Sequence, residues 1–166
     1  MLIRPATESD LPALLAIYND IIATSTAVYR DTPVSLDDRL DWFRSRTQSG
    51  YPILVASSDE TSQPQVLGFS TFGDFRSGSG YRYTVEHTVH IRAGHRGQGV
   101  GTQVLLALFP YARQLGKHIL IGGVDAENAG SLRFHERLGF ERVAHFRQVG
   151  FKFNRWLDLI FLQRTL

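Results

Sequence analysis

The chain has 166 residues, 43% of them hydrophobic and 20% charged, with a formal net charge of +2; this describes one folded domain with a sizeable core and excludes a disordered or membrane-embedded chain. So small a net charge argues against nucleic acid as a partner, and no apolar run suggests a membrane. Without cysteine there can be no disulfide, thiolate metal site or cysteine acyl-enzyme, and the N-terminal Met1-Leu2-Ile3-Arg4-Pro5 has no signal-peptide character, so a cytoplasmic protein is expected.

Leu2-Ile3-Arg4 reads as a short strand. Thr7-Glu8-Ser9-Asp10 offers helix caps and Pro12 suits a first turn. Leu11, Leu14, Leu15, Tyr18 and Ile22 then fall at helical spacing and predict a buried stripe. After a loop over residues 23–33, Ser35-Leu36-Asp37-Asp38 caps a second helix, with Leu36, Leu40 and Phe43 on one side and Gly50 as its stop. Trp42 suits either the core or a lid over a substrate. Pro52 to Ala56 and Val66 to Phe72 form a hairpin around a polar turn at residues 57–64. A glycine- and serine-rich loop, residues 73–80, carries Asp74, Phe75 and Arg76 into the next strand.

That strand, Tyr83 to Ile91, is rich in β-branched and aromatic residues. Alternation places Thr84, Glu86, Thr88 and His90 on one face and Val85, His87, Val89 and Ile91 on the other, unless a bulge breaks the parity. Arg96-Gly97-Gln98-Gly99-Val100-Gly101 follows, and then apolar Val104 to Phe109. A strand, a glycine turn and a helix aim several N–H groups and the positive end of a helix dipole at one point, which suits an anion such as phosphate; Arg92, His95 and Arg96 add charge at its mouth. A plain tight turn would use the same glycines. The lysine of a P-loop is missing, and the spacing falls one residue short of a dinucleotide fingerprint. Pro110, inside the apolar pattern, cannot donate to Leu106 and predicts a kink, or a helix that breaks and restarts.

Lys117 to Val124 reads as a buried strand of the parallel type. Asn128 is a plausible N-cap for a helix whose inner face is Ser131, Phe134, His135 and Leu138, with Gly139 as its C′ residue. Two closing strands, residues 141–149 and 151–162, have Gly150 as the expected bend; Asn154-Arg155 is near a turn signal but lacks glycine. A hairpin followed by alternating strands and helices is an α/β arrangement, a mixed sheet with helices on both faces.

Glu86 is an acid in an otherwise apolar strand, so it is either a general base or an edge charge paired with Arg82 or Lys117. His135 is either a core histidine or a pocket group. His87 and His90 could be bases or ligands, but no third residue at metal-like spacing joins them, and no metal is expected.

The pattern Arg-x-x-Gly-x-Gly after a strand resembles the acetyl-CoA signature of the GNAT superfamily of N-acetyltransferases. Three further segments, Thr84 to Val89, Ser131 to Phe140 and Gln148 to Leu159, resemble its phosphinothricin and methionine sulfoximine acetyltransferase branch, and the likeness runs from Ile3-Arg4 to Phe161-Leu162. The resemblance implies a mostly antiparallel twisted sheet with a central parallel pair, an early helical region that covers the substrate, acetyl-CoA as co-substrate, and commonly a homodimer. It assigns the pyrophosphate to Arg96, Gly97, Gln98, Gly99, Val100, Gly101 and Thr102, and the pantetheine arm to Asn128 and the backbone of Val89, His90 and Ile91. Glu86 becomes the general base. His135 stands where many members have a tyrosine that protonates the leaving thiolate, so it is a proton donor or a substrate contact.

The acceptor, by the same resemblance, is the α-amino group of a small amino acid analogue. Phe75, Arg76, Ser77, Gly78, Arg82, Glu86, His87 and Thr88 surround it. Arg76 and Arg82 flank the loop that feeds the Glu86 strand, and a short path joins them to the base, so either Arg76 with help from Arg82 holds the carboxylate or both are solvated loop charges; the resemblance supports Arg76 more, and Lys152 is a candidate for the outer phosphorus or sulfur group. Phe75 and His90 stand where relatives often have tryptophan and tyrosine. Rival readings are a peptide N-terminus or polyamine as acceptor, and a non-catalytic acyl-CoA-binding regulator, against which Glu86 argues.

Overall fold

A computed structural model describes residues 1–58 and 64–166; the middle of the polar turn expected at residues 57–64 lies outside the described residues. Strands β1 (Leu2–Pro5), β2 (Ile53–Ser57), β3 (Val66–Asp74), β4 (Thr84–Ile91), β5 (Ile119–Asp125), β6 (Glu141–Lys152) and β7 (Arg155–Thr165) form a seven-stranded sheet in the order β1-β2-β3-β4-β5-β7-β6. Neighbouring strands are antiparallel except β4 and β5, which are parallel. This is the mixed sheet with a central parallel pair that the sequence implied.

Helices α1 (Leu11–Thr24) and α2 (Leu36–Gln48) cover one face, and α3 (Val100–Leu106), α4 (Leu108–Gln114) and α5 (Ala129–Arg137) the other. Alternation along β2 shows the division: Ile53 and Val55 pack with Leu14, Ile17 and Ile21 of α1, while Leu54 and Ala56 join Val104, Leu108 and Leu132 across the sheet. The α1 stripe therefore differs from the expected one. Leu11, Leu14 and Ile22 are buried as expected and Ile17 and Ile21 join them, whereas Leu15 is half-buried and Tyr18 turns toward a cavity.

Ser35 caps α2 as expected, its Oγ accepting from Asp38 N at 3.1 Å. The helix then departs from the apolar reading, since Leu36 is 46% exposed and the deeply buried residue is Arg39, at 7%. The inward face is Arg39, Trp42, Phe43 and Arg46, a helical repeat with two cations in it.

The helix after the glycine turn breaks and restarts, as Pro110 required. The break is at Ala107, so Pro110 becomes the third residue of α4, in the first turn, where its missing N–H leaves no helical bond unmade. Gly139, at φ 79°, closes α5 as expected. The last bend is not at Gly150 but at Phe153-Asn154, with φ 51° and 58°, the two-residue hairpin turn that asparagine tolerates without glycine. Gly150 lies inside β6, at the end of a register shift that begins at Phe146, and a Cβ there would collide with the Tyr29 ring.

The register of β4 on β3 runs without a shift from Gly68↔Ile91 to Asp74↔Val85, so the predicted parity of β4 holds. On its other edge β4 pairs with β5 only from Thr84 to Glu86. Beyond Glu86 the two strands part, β4 staying with β3 and β5 with β7. The wedge between them sets where a ligand can enter the sheet.

Phe72 is fully buried, meets Tyr51 edge-on at 5.5 Å, and its carbonyl accepts from Arg46 Nη1 at 3.0 Å. Phe72→Ala should cost about 3–5 kcal/mol, seen in equilibrium urea unfolding as a lower midpoint with an unchanged slope.

Candidate active site

Two cavities meet in the wedge. The first, about 360 Å³, is bounded by Glu86, Thr88 and His90 of β4, by Tyr18, Arg39, Trp42 and Arg46 of α1 and α2, and on its far side by Asn128 and His135. The second, about 610 Å³, shares Val89, His90, Asn128 and Ser131 with it and runs to Arg96, Gly97, Gly99, Gly101 and Thr102 at the glycine turn. The β4 edge from Val89 to Ile91, with no strand partner on the wedge side among the described residues, lies along the passage.

Glu86 stands at the apex of the wedge. Its carboxylate has no hydrogen-bond partner among the described residues, and burial pushes its pKa up, with the Arg46 guanidinium opposing more weakly. Neither partner expected for an edge charge reaches it. Lys117 Nζ donates to the Arg82 carbonyl at 2.8 Å, and Arg82 Nη1 donates to the Ser79 carbonyl at 2.8 Å.

His135 is 3% exposed, and its Nδ1 lies 2.7 Å from the Ser131 carbonyl. A carbonyl accepts only, so Nδ1 carries the proton and Nε2, which has no partner, presents a lone pair. His87 stacks on it with ring centroids 5.1 Å apart. Burial lowers the pKa of both rings, and each stays neutral. In this state His135 can take a proton at Nε2; it gives one only after being protonated.

At the glycine turn, Gly97 and Gly99 have φ of 75° and 82°, and the space a Cβ would fill is open. Only glycine holds that backbone without strain and leaves the approach clear. Gly101 differs: it is helical, and a Cβ there would make ordinary contacts with Phe134 and Ile91 at 3.5 and 3.6 Å. The first-turn N–H groups of Val100, Gly101 and Thr102 have no acceptor within α3. Gln98 Nε2 bonds the Gly94 carbonyl at 2.9 Å and Val100 packs into the core, so these two can serve a ligand only through their backbone. Asn128 Oδ1 accepts from Ser131 N at 3.0 Å, capping α5 as expected.

A sequence model of the acetyltransferase (GNAT) domain matches residues 1–141.

The chain belongs to the GNAT acetyltransferase family.

The L-methionine sulfoximine/L-methionine sulfone acetyltransferase of Pseudomonas paraeruginosa is 48% identical over 99% of this chain and 94% of the relative. The crystal structure of a ribosomal-protein-alanine N-acetyltransferase from Brucella melitensis is 43% identical, with a TM-score of 0.95 over 100% of both chains. An acetyltransferase from Salmonella typhimurium, solved with its cofactor acetyl-CoA, is 42% identical, with a TM-score of 0.94 over 99% of this chain and 93% of that one.

In this GNAT chain Glu86, His87, Thr88 and His135 line the first cavity, Ile91 and the glycine turn the second, and Val89, His90 and Asn128 both. The loop residues Phe75, Arg76, Ser77, Gly78 and Arg82 are not among the walls of either cavity. Arg76 and Arg82 are exposed and rest over Phe75 and Tyr83 at 5.2 and 4.4 Å. The physical reason is register. The loop joins the paired end Asp74↔Val85, whereas the wedge opens toward Ile91. Lys152 is also turned from the expected role, because its Nζ donates to the Ser25 and Val28 carbonyls at 2.7 and 2.8 Å.

The arginines in the acceptor-side wall are Arg39 and Arg46, which a reading of apolar spacing passed over. Their signal was the seven-residue interval flanking Trp42 on one helix face. Arg137, in the second cavity, was likewise missed. Among the described residues no group of three or more His, Cys, Asp or Glu could hold a metal ion, and no helix is long and apolar enough to cross a membrane.

A carboxyl whose folded-state pKa lies above its unfolded value binds more protons in the folded protein. Stability therefore falls as pH rises from about the ordinary value of 4.5 through the raised one. Glu86→Gln removes that burden. Thermal melts should find the variant more stable than the parent at neutral pH, with the gap closing below the ordinary carboxylate pKa; an equal or lower melting temperature at neutral pH would contradict the burial argument.

Proposed function

We propose that this N-acetyltransferase moves acetyl from acetyl-CoA to the α-amino group of a small amino acid analogue such as methionine sulfoximine, methionine sulfone or phosphinothricin, by direct transfer. The observation that carries the reading is a Glu86 carboxylate with no hydrogen-bond partner among the described residues, at the apex of a wedge with an arginine-walled cavity on one side and a glycine-lined one on the other.

The chain fits acetyl-CoA. The open approach over Gly97 and Gly99, the free first-turn N–H groups and the Arg96 guanidinium suit its pyrophosphate, and the unpaired β4 edge at Val89 to Ile91 suits the amide groups of its pantetheine arm. When bound it supplies the activated acetyl group. Glu86 takes a proton from the α-ammonium, directly or through a water; its raised pKa brings it nearer to that task than an exposed glutamate. His135 lines the same cavity and shapes it around the acceptor.

A peptide N-terminus has support from the Brucella relative's activity. Against it stands the roof of the first cavity. The segment after α1 is tied down by Thr26 Oγ1 on Asp125, Tyr29 OH on the Asp158 carbonyl at 2.8 Å, and Lys152 on Ser25 and Val28. A roofed cavity of about 360 Å³ suits a small acceptor, and two wall arginines oppose a polyamine.

Thiol release from acetyl-CoA over a panel of methionine sulfone, methionine sulfoximine, phosphinothricin, an alanine-first peptide and spermidine tests the acceptor class. The sulfone or sulfoximine should lead; a clear preference for the peptide or spermidine overturns the reading. Glu86→Gln should lower kcat by about 10²–10⁴-fold with acetyl-CoA affinity retained. Gly99→Val should abolish acetyl-CoA binding in calorimetry while circular dichroism keeps the parent's shape; unchanged affinity would remove the glycine turn from the cofactor site.

A further inference from the structure

We propose that Arg39 receives the carboxylate of the acceptor, an inference that rests on the amino acid reading above. Arg39 is a buried cation with its counter-charge missing. It is 7% exposed, and its Nε is buried with no hydrogen-bond partner. Among the described residues no Asp or Glu comes within ion-pair distance of it. Its helix neighbour Asp38 is committed elsewhere, accepting from Ser35 N at 2.8 Å and Ser35 Oγ at 2.9 Å in the cap of α2.

A buried charge left unpaired is costly, and a leucine or methionine would fill the same space. What holds the guanidinium is aromatic. Its central carbon lies 4.0 Å from the Tyr18 ring centroid and 4.5 Å from that of Trp42, and the Tyr18 side chain also supports the charge by hydrogen bonding; this fixes the group in position and leaves Nε without a partner among the described residues. A fixed fork of donors matches the two oxygens of a carboxylate.

Location selects the ligand. Arg39 lines the cavity that holds Glu86 and is absent from the walls of the glycine-turn cavity, so an acceptor anion rather than a phosphate of the cofactor is its complement. The other wall cations are less available. Arg46 spends Nη1 on the Phe72 carbonyl and acts electrostatically on Glu86, and Lys152, which is not among the walls, is bonded to the Ser25 and Val28 carbonyls. Asp125, the second wall acid, takes the Thr26 hydroxyl and Glu127 N. With the carboxylate at Arg39 and the amine at Glu86, the acceptor is held at two charged points and its orientation toward the transferred acetyl is set.

The test separates binding from transfer. The probe is the desamino analogue of methionine sulfone, which keeps the carboxylate and lacks the amine, beside its neutral amide, both with acetyl-CoA present. Trp156→Phe leaves Trp42, in contact with Arg39, as the single tryptophan reporter. The acid should titrate Trp42 fluorescence saturably and at least about tenfold more tightly than the amide. Arg39→Met should erase that preference, weakening the acid by about ten- to a hundredfold, and should raise the KM for methionine sulfone similarly with the KM for acetyl-CoA unmoved. Arg39→Lys keeps the charge and loses the fork, so it should fall between and guards against a Met variant that fails to fold. Equal binding of acid and amide by the parent overturns the proposal, as does an acid preference that survives in Arg39→Met or disappears in Arg76→Ala instead. If the parent binds the acid through Arg39 but transfers no acetyl to methionine sulfone, the acceptor reading fails while the site stands; transfer with no acid preference is the converse.

Discussion

Everything about this site depends on where one pair of strands stops pairing. β4 and β5 run parallel from Thr84 to Glu86 and then separate, each held by its other neighbour. Had the ladder continued to Ile91, Glu86 would face a sealed sheet and the backbone of Val89 to Ile91 would be spoken for. Because it stops, a strand edge that would ordinarily be a liability becomes the wall of a passage, and the residue at the last pairing is the acid. A separation of this kind needs rigid flanks, and β3 and β7 supply them with continuous antiparallel registers on either side.

The side chains at the apex are arranged at some expense of stability. Glu86 is desolvated without a hydrogen-bond partner, Arg39 is buried without a carboxylate, and two histidines stack with ring nitrogens unpaired. Each is a group that a purely structural core would replace with an apolar one. Their concentration around one cavity, while the opposite cluster of Val104, Leu108, Leu120 and Leu162 is fully dry, is the pattern of a functional site supported by a sound core elsewhere.

Much of this was legible in the chain. Period-two alternation placed Glu86, Thr88 and His90 on a common face because nothing interrupts the β4 register. Asn128 and Gly139 announced the two ends of α5 by capping chemistry alone. Pro110 predicted an interruption, and the helix breaks three residues earlier, at the turn whose carbonyl the proline cannot satisfy. What escaped was of two kinds. Hydrophobic spacing cannot see a helix that buries arginines, so of the apolar side expected for α2 Phe43 faces inward and Leu36 is exposed, while Arg39 and Arg46 were overlooked. Proximity along the chain is also a poor guide to proximity in the sheet. The loop that leads into Glu86 joins the closed end of the strand pair, and so Arg76 and Arg82 remain outside a wedge that opens in the other direction. The bend at Phe153-Asn154 shows a third limit, since positive φ was sought in glycine and adopted by asparagine and phenylalanine.

The lashings on the roof of the acceptor cavity have a temporal consequence. Tyr29 reaches Asp158 across 129 positions, and Lys152 reaches Ser25 across 127. Contacts so distant in sequence close late, after the loop entropy between them has been overcome. A chain emerging from the ribosome has its glycine turn long before the residues that pin the roof have been synthesised. Those residues also lie beyond position 141, where the match to the general acetyltransferase domain ends. The residues that pin this segment are thus made last, in the closing β6–β7 hairpin.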